Sequence, residues 1–352
     1  MVVIGINPGI DSTAVLLKDG RILAAIAEER LSRRKLHYGF PRRAIAECLR
    51  IGKVDSQEVD RLVFSYHSNM YVHPSLTKSF LEKDWSPFEK DNEIPVGLMI
   101  KTFWEYIRSG GKRLFWPKSS DPIYFIDNEV LYKKELEKLG ITRAKIEHFD
   151  HHECHAASAY WCSGLTECLV VTADGAGDLN WSSVSLGRSG KLEKLLEVPR
   201  QTSVGILYLT VTKFLGFRPH RHEGKVTGLA AFGNPNKHIG IMKEAVSLTR
   251  DGKFIRKINV NPMKIYWLMF KRLLKNRFIR HPEINLILDH LESNLHGFRK
   301  EDVAASVQIH TEDLLSNFVK RWLELTKQKK VALAGGIFAN VLVNQRIAEL
   351  PG

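Results

Sequence analysis

The feature that most constrains the fold is an internal repeat. Near the N-terminus, VVIGINPG reads as a buried strand ending in a Gly-containing loop, DSTAVLLKDG as a second strand ending in a turn, and RILAAIAEE as a third. The same order returns in ECLVVTADGAG, WSSVSLGRSG and KLEKLLEVPR. Two copies of strand, Gly/Asp loop, hairpin and third strand predict two similar α/β domains in tandem. Helices are expected over PRRAIAECLRIG, VLYKKELEKLG, GILYLTVTKFLGF and the long EDVAASVQIHTEDLLSNFVKRWLELT. A last strand, KKVALAGGIFAN, leads into a short helix ending near Leu350. A boundary near residue 165 fits, with a first lobe over 1–165 carrying an insertion at about 68–120 and a second over 166–352.

Each first hairpin presents a tight Gly-containing turn with a carboxylate. One is Asn7-Pro8-Gly9-Ile10-Asp11-Ser12 and the other Asp174-Gly175-Ala176-Gly177-Asp178. Such turns let backbone N–H groups approach phosphate oxygens while carboxylates hold a metal or its waters. Each is also an ordinary hairpin sequence, and the two gain meaning as a nucleotide site only by facing one another across a cleft. In His222-Glu223-Gly224-Lys225-Val226-Thr227-Gly228, glycines flank an acid and a lysine, as a loop meeting a phosphate or acyl group requires; a surface turn entering a helix is the alternative. In Ala334-Gly335-Gly336-Ile337-Phe338-Ala339-Asn340, paired glycines end a strand and would let a flat ring such as adenine lie near the backbone. Asn340 and Asn344 could then address ribose or phosphate, although helix N-capping explains Asn340 equally well.

His151 and His155 stand four apart where a helix should begin, so both imidazoles share a face and can grip one divalent ion. A capped helix start would place histidines there too. A zinc-hydrolase reading is weaker, because Glu153 falls in HHECH rather than HExxH. The cysteines Cys48, Cys154, Cys162 and Cys168 form no CxxC, which suggests neither a disulfide framework nor a zinc ribbon and fits a reducing cytoplasm. No signal peptide and no apolar run of about 18 residues is read, so no transmembrane segment is expected.

The net charge of +13 points to an anionic partner. Much of it lies in PMKIYWLMFKRLLKNRFIR, an amphipathic basic helix near 262–281, and in KTFWEYIRSGGKRLFWPK from Lys101 to Lys118. Nucleic-acid or membrane-surface contact is possible there, but a solvated basic face over an apolar stripe is favoured.

Five segments in order, GINPGIDSTAVLLKDGRILAAIAEERLSRRK, HHECHAASAY, DGAGD, SVGILYLTVTKFLGFRPHRHEGKVTGLAAFG and ALAGGIFANVLVNQRI, resemble the N-terminal part of the O-carbamoyltransferases. That family includes nodulation-factor and antibiotic carbamoyltransferases, and is similar to the metal-binding subunit that makes threonylcarbamoyladenosine in tRNA. The resemblance implies duplicated ribonuclease-H-like lobes of the actin, sugar-kinase and heat-shock-chaperone superfamily. It implies carbamoyl phosphate and ATP as the source of a carbamoyl-adenylate, and transfer of its carbamoyl group to a small hydroxyl-bearing acceptor. His151 and His155 would then be metal ligands, with iron or zinc as the ion, and the metal would polarise the adenylate phosphate. Asp11, Glu223 and Lys225 take catalytic positions. Gly9, Ser12, Asp174, Gly175, Gly177, Gly335, Gly336, Asn340 and Asn344 take cofactor-binding ones.

Two departures shape the expectation. Ile10 stands where relatives carry a histidine, and an isoleucine can neither hydrogen-bond the carbamoyl oxygen nor move a proton. The sequence ends at Gly352, before the family's last strand with its metal-ligand aspartate and before the adenylate-forming domain. The second lobe is therefore expected to be incomplete, the metal weakly held, and a separate C-terminal chain a possible partner. The competing class is a non-catalytic nucleotide-binding subunit.

Overall fold

The computed structural model describes residues 1–9, 11–37, 39–66, 135–258 and 282–351. Ile10, the expected insertion at 68–120 and the basic helix near 262–281 lie outside the described residues. So does the start of VLYKKELEKLG, residues 130–134, while 135–138 is helical.

In the first unit, β1 (Val2–Asn7), β2 (Thr13–Lys18) and β3 (Arg21–Ala27) form an antiparallel meander. Next come α1 (Glu28–Ser32), α2 (Arg42–Gly52), β4 (Arg61–Phe64) and β5 (Lys145–His148). The sheet order is β3-β2-β1-β4-β5, with β4 parallel to β1 and β5 parallel to β4. The β2–β3 turn is Asp19-Gly20, both at positive φ (51° and 78°), the backbone a two-residue hairpin demands. Residues alternate buried and half-buried along β1, so Val2, Ile4 and Ile6 enter the core with Leu16, Leu62 and Phe64. Helix α2 adds Ala44, Ile45, Cys48 and Leu49. Buried Glu28 is explained locally: its carboxylate accepts the Ala44 N–H at 2.7 Å and the Arg43 N–H at 3.3 Å, satisfying the open first turn of α2.

Helix α3 (His151–Trp161) contains the division between the two compact units, the first ending at Cys154 and the second running from His155. The second meander is β6 (Glu167–Gly177), β7 (Asn180–Arg188) and β8 (Lys191–Pro199). Then follow α4 (Val204–Phe214), α5 (Glu223–Ala230), α6 (Ile239–Ala245), the short pair β9 (Ser247–Leu248) and β10 (Phe254–Ile255), α7 (Pro282–Asn294) and α8 (Lys300–Thr326). Strand β11 (Val331–Ala334), a 3-10 turn over Gly336–Ala339 and α9 (Val341–Ala348) complete the described order. The order β11-β6-β7-β8, with β11 parallel to β6, repeats the β4-β1-β2-β3 part of the first sheet. Two sheets of one topology make this an α/β chain of duplicated ribonuclease-H-like lobes.

Helix α4 is buried from Val204 to Thr212, and its hydroxyls stay satisfied because Thr210 and Thr212 donate to the carbonyls of Ile206 and Tyr208 one turn back. It joins Leu169, Trp181, Val184, Ile287, Leu315 and Phe318 in the main core of this unit. On the other sheet face, Ala156 and Tyr160 of α3 pack on Cys168 and Val170 of β6 and Ala332 of β11. The Tyr160 hydroxyl donates to the Thr166 carbonyl at 3.0 Å, which fixes the end of α3 beside β6.

Candidate functional site

The start of α3 is built by Asp150. Its Oδ1 accepts the N–H groups of His152 and Glu153 at 2.9 and 3.1 Å, an N-cap that sets where the helix begins and therefore which way its first turn faces. His151 is buried and its ring lies 4.6 Å from that of Tyr66, centroid to centroid. One turn on, the Nε2 of His155 is 3.3 Å from Oδ2 of Asp174, and both side chains are partly open to solvent. His151, His155 and Asp174 each offer one ligand atom, and these atoms lie within 4.8 Å of one another. Among the described residues this is the one such trio. Two imidazole nitrogens and a carboxylate oxygen are the donors with which zinc and iron(II) sites are built. Two donors about 2.0–2.1 Å from one ion at the tetrahedral angle stand roughly 3.3 Å apart, so the His155–Asp174 spacing already has the size of a ligand edge. The residues fit a divalent ion.

Asp174 was assigned from sequence to the nucleotide loop alone; the structure brings it to the histidines as well. The signal for it was its place directly after the buried run Cys168–Ala173 of β6, where a side chain leaves the sheet beside the loop. Its Oδ1 accepts the Gly175 N–H at 2.7 Å, which leaves Oδ2 turned to His155.

Backbone segments crowd around this carboxylate. Gly335 has φ 105° and ψ 161°, a conformation essentially closed to other residues, and a Cβ there would stand 2.2 Å from the Ala173 carbonyl oxygen. A Cβ on Gly336 would meet Oδ1 of Asp174 at 2.9 Å, and one on Gly205 would meet the Asp174 carbonyl oxygen at 2.6 Å. Ser203 caps α4 by accepting the Ile206 N–H at 3.0 Å while its hydroxyl donates to the Gly175 carbonyl at 2.6 Å. The DGAG loop, the GG turn and the start of α4 therefore meet at Asp174. Gly177 lies beyond this knot, paired with Asn180 at the β6–β7 turn.

The other expected residues fall as follows. Asn340 caps α9, its Oδ1 accepting the N–H groups of Leu342 and Val343 at 3.2 and 3.4 Å. The amide of Asn344 donates to the Phe338 carbonyl at 2.7 Å, closing the 3-10 turn. The segment from Glu223 to Ala230 is helix α5 and not a loop, with Lys225 exposed and Val226 buried. Burial raises the carboxyl of Glu223 above its ordinary range even though Oε1 accepts the His220 N–H at 2.6 Å.

In the first unit, Gly9 donates its N–H to Asn7 Oδ1 at 3.2 Å. Ser12 is wholly buried, donating to the Gly39 carbonyl at 2.6 Å, so it braces the loop from beneath. Asp11 sits at φ 56°, and partial desolvation, with Glu29 adding, raises its carboxyl.

Among the described residues no helix is long and apolar enough to cross a membrane. The chain is 28% identical over 353 residues to an uncharacterized protein of Synechocystis sp., covering 96% of this chain and 50% of that protein. It is 26% identical over 339 residues to "Nodulation protein NolNO" of Sinorhizobium fredii, covering 96% of this chain and 42% of that one. The chain thus spans about half the length of the curated relatives it matches. The solved structure of HypF from T. kodakarensis aligns with 98% of this chain and 43% of its own, at a TM-score of 0.41 and 12% identity. The family model described as "Carbamoyltransferase N-terminus" matches residues 3–350, and the chain belongs to that family.

Proposed function

We propose that this chain delivers the carbamoyl group of a carbamoyl-adenylate, made from carbamoyl phosphate and ATP, to the hydroxyl of a small acceptor. The observation that supports it most is the trio His151, His155 and Asp174, set against glycine turns through which a phosphate can reach backbone N–H groups. In the reaction the acceptor oxygen bonds to the carbamoyl carbon, the bond from that carbon to the adenylate phosphate breaks, and AMP leaves. His151, His155 and Asp174 would hold iron(II) or zinc, which would supply Lewis-acid polarisation of that phosphate.

The chain's own groups take the remaining parts. The attacking hydroxyl must lose a proton, and Asp11 and Glu223 are carboxylates held above the usual range, which makes them better bases. Lys225 offsets negative charge on the leaving phosphate. Gly9, Gly175, Gly177, Gly335 and Gly336 let the backbone approach the nucleotide, Asn340 contacts the nucleoside, and Ser12 and Asn344 hold their loops. Ile10 offers no donor to the developing oxyanion, and a lost donor of that kind typically costs on the order of a hundredfold or more in rate. We assign the lobes to 1–165 and 166 onward.

The test is metal analysis of the purified protein beside His151→Ala, His155→Ala and Asp174→Asn. Iron or zinc in the parent, falling by tenfold or more in each variant, is the expected result. Equal metal content in parent and variants would overturn the assignment.

A further inference from the structure

Behind the GG turn, a buried polar seam runs through the second unit, and Gln308 is its junction. This glutamine lies in the middle of α8 and is 3% exposed. Its Nε2 donates to Glu312 Oε1 at 2.8 Å and to Asn340 Oδ1 at 3.1 Å. Its Oε1 accepts the Tyr208 hydroxyl at 2.8 Å and Asn340 Nδ2 at 2.9 Å. Both donor hydrogens and both lone-pair directions of the amide are used, which is complete satisfaction for a buried glutamine.

The seam permits one polarity. Glu312, held by Arg346 at 3.1 Å, accepts, so the nitrogen of Gln308 must face it and its oxygen must face Tyr208. Tyr208 spends its hydrogen on that oxygen, so at 2.7 Å from Thr227 it is the acceptor, and Thr227 lies in α5 one turn after Glu223. At the other end, Asn340 Oδ1 faces the N–H groups of Leu342 and Val343 at 3.2 and 3.4 Å, long contacts that agree with this orientation and that the two bonds to Gln308 reinforce. Turning the Asn340 amide over would point its NH2 at those backbone donors and at the nitrogen of Gln308.

We propose that Gln308 is a positioning residue for nucleotide recognition: it locks the Asn340 amide so that the second Nδ2 hydrogen, the one not given to Gln308, is what a ligand meets. This rests on the nucleotide reading given above and sharpens it. The nucleoside atom opposite Asn340 is then a hydrogen-bond acceptor, a ribose oxygen or a ring nitrogen, and a donor at that place is rejected. Through Tyr208 and Thr227 the same lock ties α5, with Glu223 and Lys225, to the start of α9.

The experiment is calorimetric titration with AMP of the parent, Gln308→Met, Asn340→Asp and the double variant. Aspartate caps a helix as well as asparagine, so Asn340→Asp removes the donor while keeping the cap. Each single variant is expected to weaken AMP binding roughly tenfold, and the pair no more than Asn340→Asp alone. A Gln308→Met affinity equal to the parent's overturns the proposal. So does an undiminished loss on adding Gln308→Met to Asn340→Asp, which would mark a purely structural role. If Gln308→Met does not melt cooperatively, Gln308→Met combined with Tyr208→Phe, which removes the hydroxyl left without its acceptor, takes its place with the same expected and overturning results. A parent that does not bind AMP at all overturns the nucleotide reading and this assignment with it, an outcome distinct from unchanged affinity in the variant.

Discussion

Glu223 is held in a state that costs stability. Burial raises its carboxyl in the folded chain, so its contribution to stability is fully present below the unfolded carboxyl range, near pH 4, and is lost as the pH rises through the folded value. Gln in its place keeps an acceptor for the His220 N–H and cannot ionise. Glu223→Gln is therefore expected to raise the melting temperature at pH 7 and to leave it unchanged near pH 4, read by thermal denaturation across that range. No gain at neutral pH would show that the carboxylate is already well compensated. A residue that lowers stability where it is ionised, beside exposed Lys225, has the profile of a group kept for chemistry.

At the scale of elements, the tight approach of the GG turn to β6 makes a sharp contrast between glycines. Gly335→Ala must hold a backbone conformation foreign to alanine and press a Cβ on the Ala173 carbonyl, so a loss of about 2–4 kcal/mol is expected. A Cβ on Gly175 meets nothing within 4 Å, and Gly175→Ala should cost less than about 1 kcal/mol. Urea denaturation of the two variants measures both, and equal losses would deny the close approach.

The meanders were legible in the sequence because strand periodicity and turn chemistry agree there. Val2, Ile4 and Ile6 alternate inward, and Asp19-Gly20 closes the first hairpin. Helix α5 was not legible. Gly224 and Gly228 each disfavour a helix by about 1 kcal/mol, and only the burial of Val226 and packing against α8 outweigh them. Gln308 was partly legible, since it follows Ala304 and precedes Thr311 and Leu315 at helical spacing on a buried stripe. The His151–His155 pair was visible because a helix fixes i and i+4, whereas its meeting with Asp174 depends on how α3 packs on β6, which no local pattern states.

For the whole molecule, the formal charge of +13 favours the approach of anions generally, and the glycine turns are the place proposed for a nucleotide. A ligand that binds only the folded chain stabilises it by about 2.7 kcal/mol at a hundred times its Kd. AMP at that excess is expected to raise the melting temperature by several degrees, measured by differential scanning calorimetry, and no shift at millimolar AMP would count against the nucleotide site. The strand beneath all of this is β6, which is laddered to β7 on one side and to β11 on the other and buried from Cys168 to Ala173. Asp174 emerges from that stiff midline, already turned toward His155. Its freedom was surrendered when the sheet formed, so an ion arriving there meets a carboxylate preorganised by folding, and little further ordering of that side chain opposes capture.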